Sequence, residues 1–190
     1  MKKIYLLLVA VFISITANAQ KIETDVIETN GDRYIFCSYE SIKSFTDKIT
    51  CSVGLSLQQR KDKEPNYYFC VSMMASEFIE VPQNGRMLLK TKNGEVIELN
   101  CYTGSKYEIK QISGMKFHEI KAQFGITPEQ IVLLQDGVIK IRIELKNVEG
   151  NTFYEKEFKK DKIGKIITKE YDLILNALQN DKKASFSDGF

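Results

Sequence analysis

The chain has 190 residues and carries 27 lysines and arginines against 25 aspartates and glutamates. Nucleic-acid-binding proteins usually show a basic excess gathered on one face, which this near-neutral balance lacks, so we expect no nucleic-acid partner. A chain of this length forms one ordinary domain with a core of its own, and it needs no metal or cofactor in order to fold.

The first 19 residues have the pattern of a secretory signal peptide. Lys2 and Lys3 precede an apolar run over residues 4–15, and Ala17 and Ala19 are the small residues that precede a cleavage site. The run is short for a bilayer-spanning helix, which needs about 20 apolar residues, and no later segment reaches that length. We therefore expect cleavage after Ala19, no stable membrane span afterwards, and a soluble protein in the periplasm or outside the cell. An uncleaved anchor is the alternative.

Strand patterns dominate the first two thirds of the mature chain. Apolar and polar residues alternate over 51–58, as in a strand packed on one face. An aromatic and apolar run over 67–75 predicts a strand buried on both sides. Asn93–Gly94, between 87–91 and 96–102, predicts a hairpin, because both central residues of a tight turn take positive φ.

Two segments allow more than one interpretation. Residues 40–48 fit either a loop or a helical turn. Residues 107–124 alternate like a strand at first, while their apolar residues also fit helical spacing. For this second segment we favour another hairpin, about Ser113–Gly114.

A short helix and a strand pair follow. Thr127, Pro128 and Gln130 match a capping box with proline at the first helical position, and Gly137 suits the end of the helix. Alternation over 138–146 then predicts a strand with one apolar and one charged face. The return strand is predicted over 152–158.

The C-terminal part carries the pattern of a long amphipathic helix. Apolar residues recur at three- and four-residue steps from Ile163 to Leu178 and form one stripe, and Asp161 is a suitable N-cap. Such a stripe usually lies on the sheet of the same domain. We expect the tail over 180–190 to fray.

These elements predict an α+β fold, in which an antiparallel β-sheet or incomplete sandwich packs against a long C-terminal helix and one short helix. The domain assignment is a signal peptide over 1–19, a single globular domain over 20–179 and a flexible tail over 180–190. An immunoglobulin-like sandwich is the alternative. The terminal apolar stripe argues against it, because that stripe needs a sheet face to cover.

The mature chain contains four cysteines, and an even number in an exported protein favours disulfides. Cys37 and Cys51 lie symmetrically about a loop centred near Ser44, which favours a Cys37–Cys51 bridge and leaves Cys70 to pair with Cys101. Buried reduced thiols are the alternative. The spacings match no zinc site and contain no C-x-x-C, so we expect neither a bound metal nor a thioredoxin-like redox role.

Residues that could carry catalysis are few. His118 is the single histidine, so any nucleophile that needs an imidazole base must use it. Its ordinary alternating context indicates a structural or surface residue. A carboxylate pair such as Glu77 and Glu80 could in principle hydrolyse a glycoside, but nothing in the sequence around them distinguishes them from solvated acids.

The sequence therefore predicts an exported, non-enzymatic binding or interaction module without a cofactor, whose ligand or envelope partner it does not reveal. The alternative is a hydrolase of envelope polymers that uses His118 or a carboxylate pair. A structural or inhibitor-like domain with a rigid loop over 59–66 is a third hypothesis. The absence of tryptophan counts mildly against carbohydrate binding. A buried sheet centre is the interpretation that we favour for the aromatic strand, but the same residues form the candidate interaction face: Tyr67, Tyr68, Phe69 and Met74.

Overall fold

The computed structural model describes residues 20–42, 48–61 and 63–187, with side chains as far as residue 180. The predicted signal peptide over 1–19 and the loop centre near Ser44 lie outside this part. The elements are β1 (Ile22–Ile27), β2 (Arg33–Cys37), β3 (Glu40–Ser41), β4 (Thr50–Gln59), β5 (Asn66–Ala75), β6 (Gly85–Thr91), β7 (Val96–Cys101), β8 (Lys106–Ile112), β9 (Met115–Ile126), α1 (Pro128–Leu133), β10 (Val138–Asn147), β11 (Gly150–Glu157) and α2 (Ile163–Ser187).

The strands form two antiparallel sheets. The larger has the order β1-β2-β4-β5-β9-β8, with β3 also paired to β4, and the smaller has the order β11-β10-β6-β7. The end of β7 lies beside β9, so the two sheets meet along that line. Their inner faces share one apolar core with α2. This arrangement confirms the predicted α+β class, with a curled antiparallel sheet in place of an immunoglobulin-like sandwich.

The long C-terminal helix packs its predicted apolar stripe into this core. Ile163, Ile167 and Ile174 are fully buried. Asp161 caps the first turn, because its carboxylate accepts hydrogen bonds from the backbone N–H groups of residues 164 and 165. The helix continues to Ser187 and not only to residue 179, because no glycine or proline interrupts residues 165–188. Among the described residues, no helix has the length and apolar character needed to cross a bilayer.

Both predicted hairpins form, with different turns. Ser113 and Gly114 have φ of 51° and 80°, as a two-residue turn of type I′ requires. The hairpin around Asn93–Gly94 closes where the Thr91 N–H donates to the Glu95 carbonyl at 2.9 Å, so its loop has three residues, 92–94, and only Gly94 has positive φ there. The backbone N–H of Lys92 also donates to the Gly137 carbonyl at 2.9 Å, which links this loop to the turn after α1.

The capping box at the start of α1 is confirmed. The Thr127 hydroxyl accepts from the Gln130 backbone N–H at 3.2 Å, and the Gln130 side chain accepts from the Thr127 N–H at 3.0 Å. A 3₁₀ turn over Leu134–Asp136 follows α1 and ends at Gly137, whose φ is 94°. The cap fixes where the chain leaves β9, and it therefore shapes one end of the groove described below.

Candidate functional site

The four cysteines are free thiols, so the predicted Cys37–Cys51 and Cys70–Cys101 disulfides are wrong. The register between β2 and β4 places Cys37 four positions from Cys51, about 13 Å at about 3.3 Å per residue. The Cα atoms of a disulfide lie only about 4.4–6.8 Å apart. Cys101 packs in the shared core, whereas Cys70 faces the opposite side of β5.

Cys70 belongs to a buried polar cluster on the outer face of the larger sheet. Its Sγ lies 3.1 Å from Ser56 Oγ and donates to the Tyr68 carbonyl at 3.5 Å, while Gln123 Nε2 donates to it at 3.9 Å. Burial raises the pKa of Cys70 to about 12, and burial likewise raises the pKa of Cys37 to about 12. Both thiols therefore stay protonated and are poor nucleophiles.

The predicted interaction face divides between the two sides of β5. Tyr67 and Phe69 are 6% and 0% exposed and belong to the core, so including them in an exposed face was wrong. Tyr68 and Met74 are half-buried on the outer face. Successive side chains of a strand point to opposite faces, so four residues of one strand cannot form a single contact surface.

His118 lies on β9 in a small aromatic cluster. Its Nδ1 atom is 2.5 Å from the Tyr107 hydroxyl, and the Phe78 ring centroid is 6.4 Å from the imidazole centroid. Among the residues with described side chains, no carboxylate pairs with this imidazole. The arrangement orients the histidine but does not provide the nucleophile and acid that a catalytic triad needs.

The carboxylates named from the sequence have ordinary surroundings. Glu80 Oε1 lies 3.6 Å from Lys146 Nζ, and Glu77 is exposed. Within the described ranges, no cluster of three or more His, Cys, Asp or Glu residues could hold a metal ion. The hydrolase hypothesis thus gains no supporting geometry and stays a prediction.

A groove of about 450 Å³ opens on the outer surface where β5, β9 and the end of β7 run side by side. Gly125 forms its floor, directly opposite Tyr68 in the β5–β9 pair. An added Cβ at Gly125 would already contact Tyr102 Cε2 at 3.4 Å. The missing side chain therefore lets the Tyr102 ring approach this part of β9 closely, as glycine in a strand does where another group approaches.

The two tyrosines that flank Gly125 differ in how they are held. The Tyr68 hydroxyl donates to Gln58 Oε1 at 3.4 Å, which directs this half-buried ring toward β4 and away from the groove floor. Tyr102 follows β7 and is 64% exposed. The Tyr68 side of the groove is thus held by a hydrogen bond, whereas the Tyr102 side is a largely solvated ring that a ligand can cover.

Amide and hydroxyl groups complete the lining. The side chains of Asn66 and Asn100 and the hydroxyl of Tyr102 make no hydrogen bond to any described residue, so their donors and acceptors are available. Gln130 accepts from the Thr127 N–H through Oε1, and its Nε2 group has no partner within the same described part of the chain. Unpartnered polar groups therefore lie along the groove from end to end.

The groove is almost uncharged. Glu98 is the single charged residue in its described lining, and its carboxylate lies 4.0 Å from the Arg86 guanidinium. The outer face of the smaller sheet contrasts with this, because its depression of about 390 Å³ is lined by Arg86, Arg142 and Glu144. There Arg86 Nε donates to Glu144 at 2.9 Å, and Arg142 pairs with Glu155. Those charges already have partners.

One buried carboxyl lies apart from the groove. Glu170 on α2 is 0% exposed, and its Oε2 accepts from the Leu55 backbone N–H at 2.6 Å, while Oε1 has no hydrogen-bond partner. Leu55 lies in the part of β4 that pairs with neither β2 nor β3. The Glu170 carboxyl therefore accepts the hydrogen bond that the carbonyl of a neighbouring strand would otherwise accept. Burial raises the pKa of Glu170 to about 8.

Sequence reasoning missed Gly125 and Tyr102, which define the groove. The available signal was a lone glycine inside an alternating strand pattern, since such a glycine marks a bulge or a close approach. Tyr102 gave no signal, because its position beside β9 depends on how the two sheets meet.

No protein-family model matches this chain, and comparison with curated proteins and with solved structures gives no match either. The function therefore has to be inferred from the residues of the groove and of the surface around it.

Proposed function

We propose that this protein is a non-enzymatic binding module that holds a neutral saccharide in the groove over Gly125. The observation that carries the proposal is the groove over Gly125, which has the exposed Tyr102 ring at one side and the unpartnered amides of Asn66 and Asn100 in the same lining. A volume of about 450 Å³ lies within the range of small-molecule sites.

The chemistry of the lining favours a sugar over other ligands. A sugar ring has C–H groups that pack on an aromatic face and hydroxyls around its rim, and tyrosine presents a rigid amphipathic ring at low entropic cost. Asparagine and glutamine amides both donate and accept, as sugar hydroxyls do. A charged ligand would find few ionic partners, because Glu98 is the one charge in the described lining and it already lies near Arg86.

Binding is a better interpretation than hydrolysis. Glycoside hydrolysis ordinarily needs two carboxyl groups about 5–10 Å apart across the scissile bond, and the described lining contains only Glu98. The described lining therefore lacks the pair of carboxyl groups that would cleave a bound saccharide. Without tryptophan the stacking surface is modest, so we expect a dissociation constant of about 1 mM, which corresponds to about −4 kcal/mol.

Export is part of the same proposal. The leader pattern over 1–19 would deliver the mature chain to the periplasm or the cell exterior, where envelope and environmental glycans are found. Amino-terminal sequencing of protein from the extracytoplasmic fraction should begin at Gln20. Material that begins at Met1 and stays in the cytosol would contradict this part of the proposal.

The test is a calorimetric titration of the mature chain with neutral oligosaccharides built from glucose, mannose, galactose or N-acetylglucosamine, beside an acidic polyuronate. We expect binding of at least one neutral oligosaccharide. Gly125→Gln should abolish it by filling the floor, and Tyr102→Ala should weaken it about tenfold, or about 1.4 kcal/mol.

The matched control is Tyr107→Ala, which removes an exposed tyrosine that does not line the groove and should leave binding unchanged. Absence of binding to every neutral oligosaccharide would overturn the proposal. Binding of the polyuronate alone, or binding that survives Gly125→Gln, would overturn it as well.

A further inference from the structure

β8 is an edge strand of the larger sheet, and each of its seven residues is exposed. Three of them are apolar or aromatic, with Tyr107, Ile109 and Ile112 at 41%, 59% and 46% exposure. An edge strand presents unpaired backbone donors and acceptors, and an apolar edge of this length is a template for pairing with another strand. β8 and its turn are therefore a candidate docking surface.

The tight turn fixes which backbone groups of β8 are free. Ile112 and Met115 flank the two-residue turn and form the first hydrogen-bonded pair of the hairpin, and the pairs then alternate along the ladder. The N–H and C=O groups of Lys110 consequently point toward β9. Those of Tyr107, Ile109 and Gln111 point outward, where they can pair with a strand of another molecule.

We propose that the occupant of this edge is a second copy of the chain, with the two β8 strands antiparallel and Ile109 opposite Ile109. In this register the two-fold axis passes between the two Ile109 residues, so the residue before Ile109 in one copy lies opposite the residue after it in the other. Glu108 of each copy therefore lies opposite Lys110 of its partner. Both residues lie on the same face of the hairpin, where Lys110 already bridges Glu108 and Glu119 at 3.1 and 3.4 Å. The edge is therefore complementary to itself in charge as well as in backbone hydrogen bonding.

Two of the other outermost strands, β1 and β11, lack this complementarity. The charged residues of β1 are acidic, so two copies of β1 would bring like charges together. On β11, Glu155 and Glu157 point to one face and Lys156 to the other, so an antiparallel pair of β11 strands cannot place Lys156 opposite either glutamate. Among the described strands, β8 thus combines exposed apolar side chains with opposite charges at symmetric positions.

Sedimentation analysis of the mature chain over a range of concentrations tests the proposal, and it does not depend on the saccharide groove. We expect a reversible monomer–dimer equilibrium. Ile109→Lys places two like charges at the centre of the pair and should raise the dimer dissociation constant at least about tenfold. The matched control is Ile27→Lys, an equally exposed isoleucine at the opposite edge of the sheet, which should not change it.

A charge exchange tests the register itself. Glu108→Lys and Lys110→Glu should each weaken the dimer, because like charges then face each other across the axis. The double variant restores opposite charges and should recover most of the association, while the unfolding midpoint of each variant reports on folding. A chain that stays monomeric at all concentrations overturns the proposal. So does a dimer that is insensitive to Ile109→Lys, or a double variant that is weaker than both single ones.

Discussion

The outer faces of the two sheets differ in how their polar groups are satisfied. On the smaller sheet, charged side chains of neighbouring strands pair with each other, as Arg86 does with Glu144 and Arg142 with Glu155. On the larger sheet, ion pairs on the outer face lie at the β8 edge, where Lys110 bridges Glu108 and Glu119. Nearer the groove the outer face is neutral, and Tyr68, Gln58 and Tyr34 form a chain of hydrogen bonds.

This difference indicates where a ligand can bind. A face whose charges are mutually paired offers a ligand little, because each new contact must replace an existing ion pair. The neutral part of the larger sheet's outer face ends at a groove whose amides and hydroxyl have no described protein partner, so a ligand there replaces hydrogen bonds to water and breaks none within the described protein. The two depressions have similar volumes, about 390 and 450 Å³, but we expect them to differ in how readily they bind a ligand.

We therefore expect the inner face of the larger sheet to contribute most to stability, and we propose binding for its outer face. Phe69→Ala should lower the free energy of unfolding by about 3–5 kcal/mol, because the buried ring leaves a cavity. Tyr68→Ala, at the neighbouring position on the outer face, should lower it by less than about 1 kcal/mol. Urea denaturation measures both, and equal losses would break the comparison.

The two sheets should also respond to pH with opposite signs. The Glu170 carboxyl binds the backbone N–H of Leu55 where β4 lacks a neighbouring strand, and burial raises its pKa from 4.5 to about 8. The folded state therefore binds the proton of Glu170 more tightly than the unfolded state does. Its contribution to stability is complete below about pH 4.5 and is lost as the pH rises to about 8. We expect a loss on the order of a few kcal/mol across this window.

Glu170→Gln should flatten this alkaline side of the stability profile in urea denaturation at a series of pH values. The variant cannot ionise, and it keeps an oxygen for the Leu55 N–H. An unchanged slope in the variant would show that another group titrates.

Glu144 should give a smaller effect of the opposite sign. Its hydrogen bonds with Arg86 lower its pKa, so this carboxylate contributes stability above its ordinary pKa and loses the contribution as the pH falls through the lowered value. Glu144→Gln should reduce the acid sensitivity of the unfolding midpoint, and added salt should do the same in the parent chain. Saccharide binding should not respond to salt, because the groove is nearly uncharged.

The sequence predicted what depends on local pattern. Alternation located β4 and β10, a continuous aromatic and apolar run located β5, the capping box located α1, and the apolar stripe located α2. Each of these signals comes from residues close together in the chain, and tertiary packing did not override it.

Features that depend on register and on sheet-to-sheet contact could not be predicted. The disulfide prediction failed because a symmetric spacing about a loop does not fix the register of the strands that it joins. The groove stayed hidden for a related reason: Gly125 and Tyr102 are 23 residues apart, and only the meeting of β7 with β9 brings them together. Glu170 lies within the apolar stripe, three residues after Ile167 and four before Ile174, but nothing in the sequence shows the gap in β4 pairing that its carboxyl fills.

The most direct test of the binding proposal is an amide chemical-shift titration of the mature chain with the neutral oligosaccharide that calorimetry selects. The account predicts that saturable shifts concentrate at Asn66, Asn100, Tyr102 and Gly125, and that the β10–β11 face does not respond. Shifts centred on the charged face of the smaller sheet, or no saturable shift at the groove, would contradict it.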